Sequence, residues 1–405
     1  MNSAVEFLYS LHTFGMKFGL TNIRTLLNSV ENPHQHFPAI HVAGTNGKGS
    51  TSSMIAAIFT AAGYKVGLYT SPHLEKFNER IRINGGMISD RDVIRYVDML
   101  RSKIEMSRST FFEATTAIAF KYFADRKVDI AVIETGLGGR LDSTNVITPI
   151  VSVITTIGKD HTEYLGNTFR QIAFEKAGII KHRVPVVLGA VDGIARKVIL
   201  NIARTKKSSL LYSSRLTLPE NIQIELKGDH QVQNAKNALA AVTLTEKRFL
   251  IGNEAIKTGL EKTTKLSGLR GRLEHIEGRP EMILDVAHNP EGIISLVRAL
   301  KDFSHKNKVL LFSVMKDKDY LSMLYELKKV FEKIVIIPLK MERALPEALL
   351  GEFCKKIGFK VYEAKSASDG LEYAIQRAGK NGLVVVSGSN YLIGEILPLI
   401  SRGKK

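Results

Sequence analysis

Short apolar runs alternate with longer stretches of helical period along most of the chain. Residues 37–43 read as a strand, 48–62 as a helix and 66–70 as the next strand. Ser89 caps a predicted helix running to about Met106, with Asp90 and Asp92 in its first turn, where carboxylates favour the positive end of the helix dipole. A helix follows over 112–125, then strands over 128–134 and 150–156. These strands are near-continuous Val and Ile rather than alternating, as expected of strands buried on both faces of a parallel sheet. The alternation predicts an α/β fold.

The period breaks at Leu266-Ser-Gly-Leu-Arg-Gly-Arg272, a glycine-rich and basic stretch, and a domain boundary is placed there, between residues 1–268 and 269–405. Beyond it the alternation restarts. Strands are predicted over 282–287, 309–313, 334–337, 360–362 and 383–387, and helices from Pro290, Asp319, Pro346 and Ser366. The expected architecture is a large, mostly parallel sheet domain carrying a phosphate loop, followed by a smaller Rossmann-like α/β domain. Two domains suit 405 residues, at roughly 100–200 residues each.

Composition changes this picture little. The chain is 44% hydrophobic and 24% charged, enough for full cores. No apolar run reaches the roughly 18 residues that span a bilayer. Met1 to Tyr9 carries Glu6 and no basic cluster, unlike a secretory signal. The single cysteine, Cys354, excludes an internal disulfide, and a cytoplasmic location is expected. The net charge of +17 draws anions: nucleic acid, or small polyanions such as ATP or a glutamate-tailed substrate. It reads equally as a solvated basic surface. Lysines and arginines are spread out without aromatic interleaving, and zinc spacings are absent, which argues against a nucleic-acid module. No nucleic-acid partner, no membrane association and a monomer are expected.

Chemistry enters at His41-Val-Ala-Gly-Thr-Asn-Gly-Lys-Gly-Ser50, which leaves a strand and opens a helix. Backbone N–H groups of Gly44, Thr45, Asn46, Gly47, Gly49 and Ser50 can face one anion there, helped by the helix N-terminus. Lys48 would reach the β/γ-phosphates. The match to the general phosphate-loop pattern is imperfect, with Val42 at the first glycine position and Gly49 after the lysine. A tight strand–helix turn with an exposed lysine is the plain alternative. Glu134 ends a buried strand at the edge where α/β sheets bind ligands, and suits magnesium, which takes hard oxygen ligands. Asp160 and His161 follow the next strand to the same edge. Taken alone, His161 reads first as a hydrogen-bonded loop residue, and Glu134 as ligand or cap.

Together with Thr70-Ser-Pro-His-Leu74, Asn78-Glu-Arg-Ile81, Glu134-Thr-Gly-Leu-Gly-Gly-Arg-Leu-Asp-Ser-Thr-Asn145, Glu175-Lys-Ala-Gly178, Gly228-Asp-His-Gln-Val-Gln-Asn-Ala235, Gly271-Arg-Leu-Glu274 and Asp285-Val-Ala-His-Asn-Pro290, these segments resemble the folylpolyglutamate synthase/dihydrofolate synthase branch of the Mur ligase superfamily. The resemblance runs in order along nearly the whole chain. It implies ATP bound between the domains on Gly44–Ser50, with Asn234, Arg272, Asp285 and His288 touching the nucleotide. It also implies magnesium on Ser71, Glu134 and His161, with K+ as a further cation. His73, Asn78, Arg80 and Arg82 would belong to the folate site, and Lys176 would be carbamylated and catalytic, along with Lys48 and His161. Phe111 to Thr116 reads either as lining of a pteridine site or as a buried amphipathic helix. Two departures stand out: 266–270 lacks the family's usual Pro-Gly-Arg turn, and Glu291 follows Asn289-Pro290 where the family often has His.

The implied reaction is ATP-dependent addition of L-glutamate to a folate, to dihydropteroate, or to both, through an acyl phosphate. Two rivals remain. A peptidoglycan-precursor Mur ligase would need a nucleotide-sugar domain before the phosphate loop, where about 43 residues stand, below usual domain size. A nucleic-acid-stimulated NTPase is the rival suggested by charge.

Overall fold

The computed structural model of the chain describes residues 3–15 and 19–402, so Met1 and Asn2 of the segment read for a signal lie outside it. The chain divides into two units: residues 1–225 with 231–269, and residues 226–230 with 270–405.

The first unit is built on an eight-stranded sheet. Its strands are β1 (Ala39–Ala43), β2 (Val66–Tyr69), β3 (Ile81–Ile83), β4 (Gly86–Met87), β5 (Ile130–Glu134), β6 (Val151–Thr156), β7 (Val186–Ala190) and β8 (Leu210–Tyr212). The order is β4-β3-β2-β5-β1-β6-β7-β8, parallel from β2 to β8, with the β3–β4 hairpin antiparallel at one edge. Helices α1 (Ser3–Ser10), α2 (Thr21–Asn28), α3 (Lys48–Ala61), α4 (Asp90–Ser107), α5 (Phe111–Asp125), α6 (Thr162–Leu165), α7 (Phe169–Ala177), α8 (Gly193–Thr205), α9 (Asp229–Thr243), α10 (Asn253–Glu261) and α11 (Thr263–Ser267) surround it.

β1, β5 and most of β6 are buried at every position, as their unbroken apolar runs require. One core layer joins α1, α2, α4 and α5 through Leu8, Ile23, Leu26, Leu27, Tyr96, Leu100, Phe120 and Phe123. Another joins α7 and α8 to β6 and β7 through Ala173, Ala177, Ile154, Leu188 and Ile199. Helix α3 is buried from Gly49 to Phe59, so its run of small hydroxyl residues packs against neighbours rather than facing water. The Ser89 cap forms as expected, its side chain accepting from Asp92 N.

The second unit holds β9 (Glu274–Ile276), β10 (Glu281–Leu284), β11 (Lys308–Phe312), β12 (Lys333–Ile336), β13 (Lys360–Glu363) and β14 (Leu383–Ser387) in the order β13-β12-β11-β14-β10-β9. All pairs are parallel except β9 with β10. Helices α12 (Pro290–Ala299), α13 (Tyr320–Lys328), α14 (Glu347–Ile357), α15 (Ala367–Ala378) and α16 (Asn390–Arg402) complete it. The stretch read as irregular over 266–272 differs at its start. Leu266 and Ser267 close α11, held by the Ser267 hydroxyl on Thr263 O at 2.7 Å, and Gly268 ends the helix at φ 75°, in the left-handed region glycine tolerates. No helix among the described residues is long and apolar enough to cross a membrane.

Candidate active site

Four adjacent parallel strands of the first sheet end together. Register pairs Tyr69 with Ile133, Val42 with Glu134, and Ala43 with Ile154. Ser71 therefore follows β2, Glu134 ends β5, the Gly44–Ser50 turn leaves β1, and Asp160 and His161 come just after β6, all at the carboxyl edge where such sheets bind ligands. Glu134 is only 3% exposed, and its Oε2 accepts from Ser71 N at 3.1 Å. Asp160 Oδ1 accepts from His161 N at 2.9 Å, and the imidazole Nε2 lies 3.9 Å from the same carboxylate. His161 adopts φ 50° to place its ring at the start of α6.

The phosphate turn is fixed from below by β6. Thr45 N donates to Thr156 O (2.9 Å), Asn46 N to Thr156 Oγ1 (3.0 Å), and Thr155 Oγ1 to Asn46 O (2.6 Å). Gly47 sits at φ 83°, and a Cβ there would lie 2.3 Å from Asn234 Oδ1. Asn234, on α9, thus lies directly against the turn, and Thr51 Oγ1 donates to the same oxygen at 3.4 Å. Lys48 Nζ bends back to Gly44 O and Thr45 O, each at 3.0 Å. Lys176, 5% exposed on α7, donates to Gly44 O at 2.8 Å. Burial first, and the Lys48 charge second, bring the Lys176 amine down to about 7. Two lysines thus converge on one carbonyl, an arrangement that a bound anion would relieve.

Among the described residues no group of three His, Cys, Asp or Glu side chains could hold a metal by itself. Magnesium needs only one or two protein oxygens and completes its shell with water and phosphate. A buried carboxylate beside a serine, next to a phosphate turn, supplies such oxygens.

Of the residues assigned to folate, His73 and Arg80 meet. Arg80 Nε donates to His73 Nδ1 at 2.7 Å, and Tyr9 Oη lies 3.2 Å from Nε2. Burial, then the Arg80 charge, hold the His73 imidazole down to about 3, so it is neutral. Arg80 lies 5.0 Å over the Phe111 ring, on which His12 also stacks at 4.4 Å. Tyr9 and His12 join this cluster without any signal in the sequence, because only folding brings the N-terminal segment here. Asn78 and Arg82 are engaged elsewhere. Asn78 Nδ2 donates to Ile88 O and Asp90 Oδ1, and Arg82 bonds Glu79 O and Gly85 O to shape the hairpin. The 111–116 stretch opens the buried helix α5 with a Thr110–Glu113 capping box, and its Phe111 packs in the cluster with His12 and Arg80.

In the second unit Asp285 Oδ2 accepts from Leu273 N (2.8 Å) and Oδ1 from Ala287 N (2.9 Å), fixing the turn that carries Arg272. Burial pushes the Asp285 carboxyl up, while Arg272 and the two N–H groups oppose that. His230, given no role by sequence, belongs to this unit and interacts electrostatically with Asp285 and Arg272. His288 Nδ1 lies 2.8 Å from Val286 O, and so carries the proton. Asn289 caps α12 by accepting from Gly292 N, and Glu291 falls in the first turn, where its charge suits the dipole.

A phosphate turn, a buried carboxylate on the neighbouring strand and a second α/β unit define a Mur ligase. Accordingly, the Mur ligase middle domain matches residues 42–217, and the Mur ligase, glutamate ligase domain matches residues 271–390. The chain belongs, within that class, to the folylpolyglutamate synthase/dihydrofolate synthase family. It is 36% identical over 414 residues to dihydrofolate synthase/folylpolyglutamate synthase of Bacillus subtilis (strain 168), covering 95% of each chain. It is 34% identical over 435 residues to folylpolyglutamate synthase of Lacticaseibacillus casei, covering 99% of this chain and 98% of that one. Among solved structures, Mycobacterium tuberculosis folylpolyglutamate synthase complexed with ADP and AMPPCP superposes with a TM-score of 0.90 at 31% identity, over 98% of this chain and 99% of that one. E. coli FolC in complex with DHPP and ADP gives 0.88 at 28% identity, over 99% and 98%.

Proposed function

We propose that this chain is an ATP-dependent carboxylate–amine ligase that joins L-glutamate to a folate-type acceptor: dihydropteroate, a reduced folate, or both. The observation that carries the reading is the phosphate turn with Glu134 and Ser71 on adjacent strand ends and Lys48 and Lys176 converging on Gly44 O. Full-length similarity to relatives named for these two activities supports it.

A carboxylate is a poor electrophile. Its oxygen attacks the γ-phosphorus of ATP, the bond to the β-phosphate oxygen breaks, and ADP leaves, giving an acyl phosphate. The glutamate amine then attacks the acyl carbon; phosphate departs and the nitrogen loses a proton. In the first step Lys48 would turn from the loop carbonyls to the phosphates and balance their charge, while amides of 44–50 cradle them. Glu134, Ser71 and His161 would hold Mg2+, which supplies charge neutralisation. Lys176, with an amine near neutrality, would take up carbon dioxide as a carbamate and so become an anion rather than a cation beside the metal. Asn234, Arg272, Asp285 and His288 would contact the nucleotide. His73 and Arg80 would contact the folate, with Asn78 and Arg82 shaping that loop.

The domain expected over 1–268, less the 226–230 segment, would then be the ATP- and folate-binding one, and that expected over 269–405, with 226–230, the glutamate ligase domain. The working form is a monomer in the cytoplasm, without nucleic acid. A role for K+ rests on the resemblance, and a titration of K+ against Na+ at fixed Mg2+ checks it.

The test is incorporation of labelled glutamate on dihydropteroate and on reduced folates, with and without ATP. Label on at least one acceptor, strictly dependent on ATP, is expected; no label on either overturns the reading.

A further inference from the structure

His41 lies in the middle of β1 and is fully buried, with 0% exposure, yet no step above uses it. Its Nε2 lies 2.8 Å from Thr144 Oγ1. That hydroxyl has one proton, and it faces Asp142 Oδ1 at 2.5 Å. Asp142 is itself buried and acts as an acceptor throughout: Oδ1 also takes Thr144 N at 3.0 Å, and Oδ2 takes Leu137 N at 2.8 Å. Burial pushes the Asp142 carboxyl up, while the Thr144 hydroxyl and the backbone N–H groups of Leu137 and Thr144 oppose that. With these donors on both oxygens Asp142 accepts throughout, so Thr144 donates to it. Thr144 must then accept from His41, which puts the imidazole proton on Nε2. His41 Nδ1 is buried with no partner among the described residues, so a second proton there would have no acceptor. The ring is held neutral in one tautomer, in line with burial pushing it down to about 3.

This chain of bonds ends in the segment that joins two parts of the site. Leu137 stands three residues past Glu134. The same segment packs on α7 beside Lys176: Arg140 N donates to Glu175 O at 2.7 Å, and a Cβ at Gly139 would lie 2.8 Å from Lys176 O. Asn145 Nδ2 then ties Arg140 O to Gly178 O, at 3.0 and 3.1 Å. The shape of 135–145 thus sets the distance between the Glu134 carboxylate and the Lys176 helix.

We infer that His41 is a positioning residue of the ligase reaction: its Nε2–H orients Thr144, Thr144 orients Asp142, and Asp142 fixes the 135–145 segment between Glu134 and Lys176. The effect on turnover rests on the proposed function, whereas the proton wiring is a property of the protein alone.

Two measurements separate these. Nitrogen-15 spectra of histidine-labelled full chain, with His41 assigned through His41→Gln, should show a neutral ring protonated on Nε2 at pH 7 and a changed signal in Thr144→Val. A cationic ring, a proton on Nδ1, or no response to Thr144→Val overturns the wiring, whatever the enzyme's activity. In glutamate ligation, His41→Leu and Thr144→Val should each lower kcat about 10–100-fold, the range for groups that orient metal-site residues. KM for ATP should stay within about twofold, because the phosphate turn is held by β6 instead. The double variant should lose no more than the worse single, since both cut one chain. His41→Gln, which keeps a donor near the Nε2 position, should recover most of the loss. Multiplying losses in the double variant, or His41→Gln as damaged as His41→Leu, overturns the positioning role.

Discussion

Lys176 is a residue whose environment departs far from its ordinary chemistry. Its amine titrates near 7 in the folded chain against the usual 10.5, so between those values the unfolded state binds the extra proton. Stability therefore rises with pH across that window, and Lys176→Met should flatten that part of a pH–stability curve. The neutral amine is also the form that adds carbon dioxide. Carbamate signal from labelled bicarbonate should grow as pH climbs through about 7 and vanish in Lys176→Arg, with turnover reduced about 10²-fold or more. Full activity in Lys176→Arg would sink the carbamate. Gly47 is the second residue-scale case. Gly47→Ala adds a Cβ at φ 83° and 2.3 Å from Asn234 Oδ1. The strain of about 1–2 kcal/mol can be relieved only by moving the turn or the asparagine. Melting temperature should fall by a few degrees while ATP affinity collapses; unchanged ATP binding would remove Asn234 from the nucleotide's surroundings.

At the scale of elements, the sequence is most readable where burial is complete. The run 37–43 becomes β1 over Ala39–Ala43, and 48–62 becomes α3 over Lys48–Ala61, because unbroken apolar runs and a glycine turn leave few alternatives. The β3–β4 hairpin, β8 and β9 show no period in the sequence, being two or three residues long and partly exposed, and β7 is not predicted either, although it is buried from Val186 to Gly189. The site divides the same way. Strand-end residues such as Glu134 and His161 are visible because the fold class says where strands end. Asn234 under Gly47, or Tyr9 on His73, depend on contacts across 64 residues or more, which no local pattern encodes. Asp285 shows how one side chain holds an element together. Asp285→Ala strips the acceptor from Leu273 N and Ala287 N, both near buried strands, and should cost about 1–3 kcal/mol per group left unpaired. Urea unfolding should shift accordingly, with weaker ATP binding; a midpoint equal to wild type would mean that water replaces the carboxylate.

For the whole molecule, the charge of +17 is the feature most open to two readings. An ATPase assay settles between them. Hydrolysis should be stimulated by a folate with glutamate and be indifferent to DNA or RNA; the opposite response would make the basic surface the functional one. Increasing salt from about 0.01 M to 0.15 M shortens the screening length from roughly 30 to 8 Å, so KM for the anionic substrates should rise while kcat holds.

The pentapeptide 226–230 belongs to the second unit although the chain around it belongs to the first. Leu226 is buried, a Cβ at Gly228 would lie 3.1 Å from Leu273, and His230 shares the field of Asp285 and Arg272. Heredity feels this topology. A crossover between related genes at the junction after residue 269 would transmit a C-terminal unit without its five-residue graft, leaving the new partner to supply that piece from a foreign sequence. Such hybrids should fold stably only when donor and recipient agree over 226–230, which would make the two units a matched pair rather than interchangeable modules.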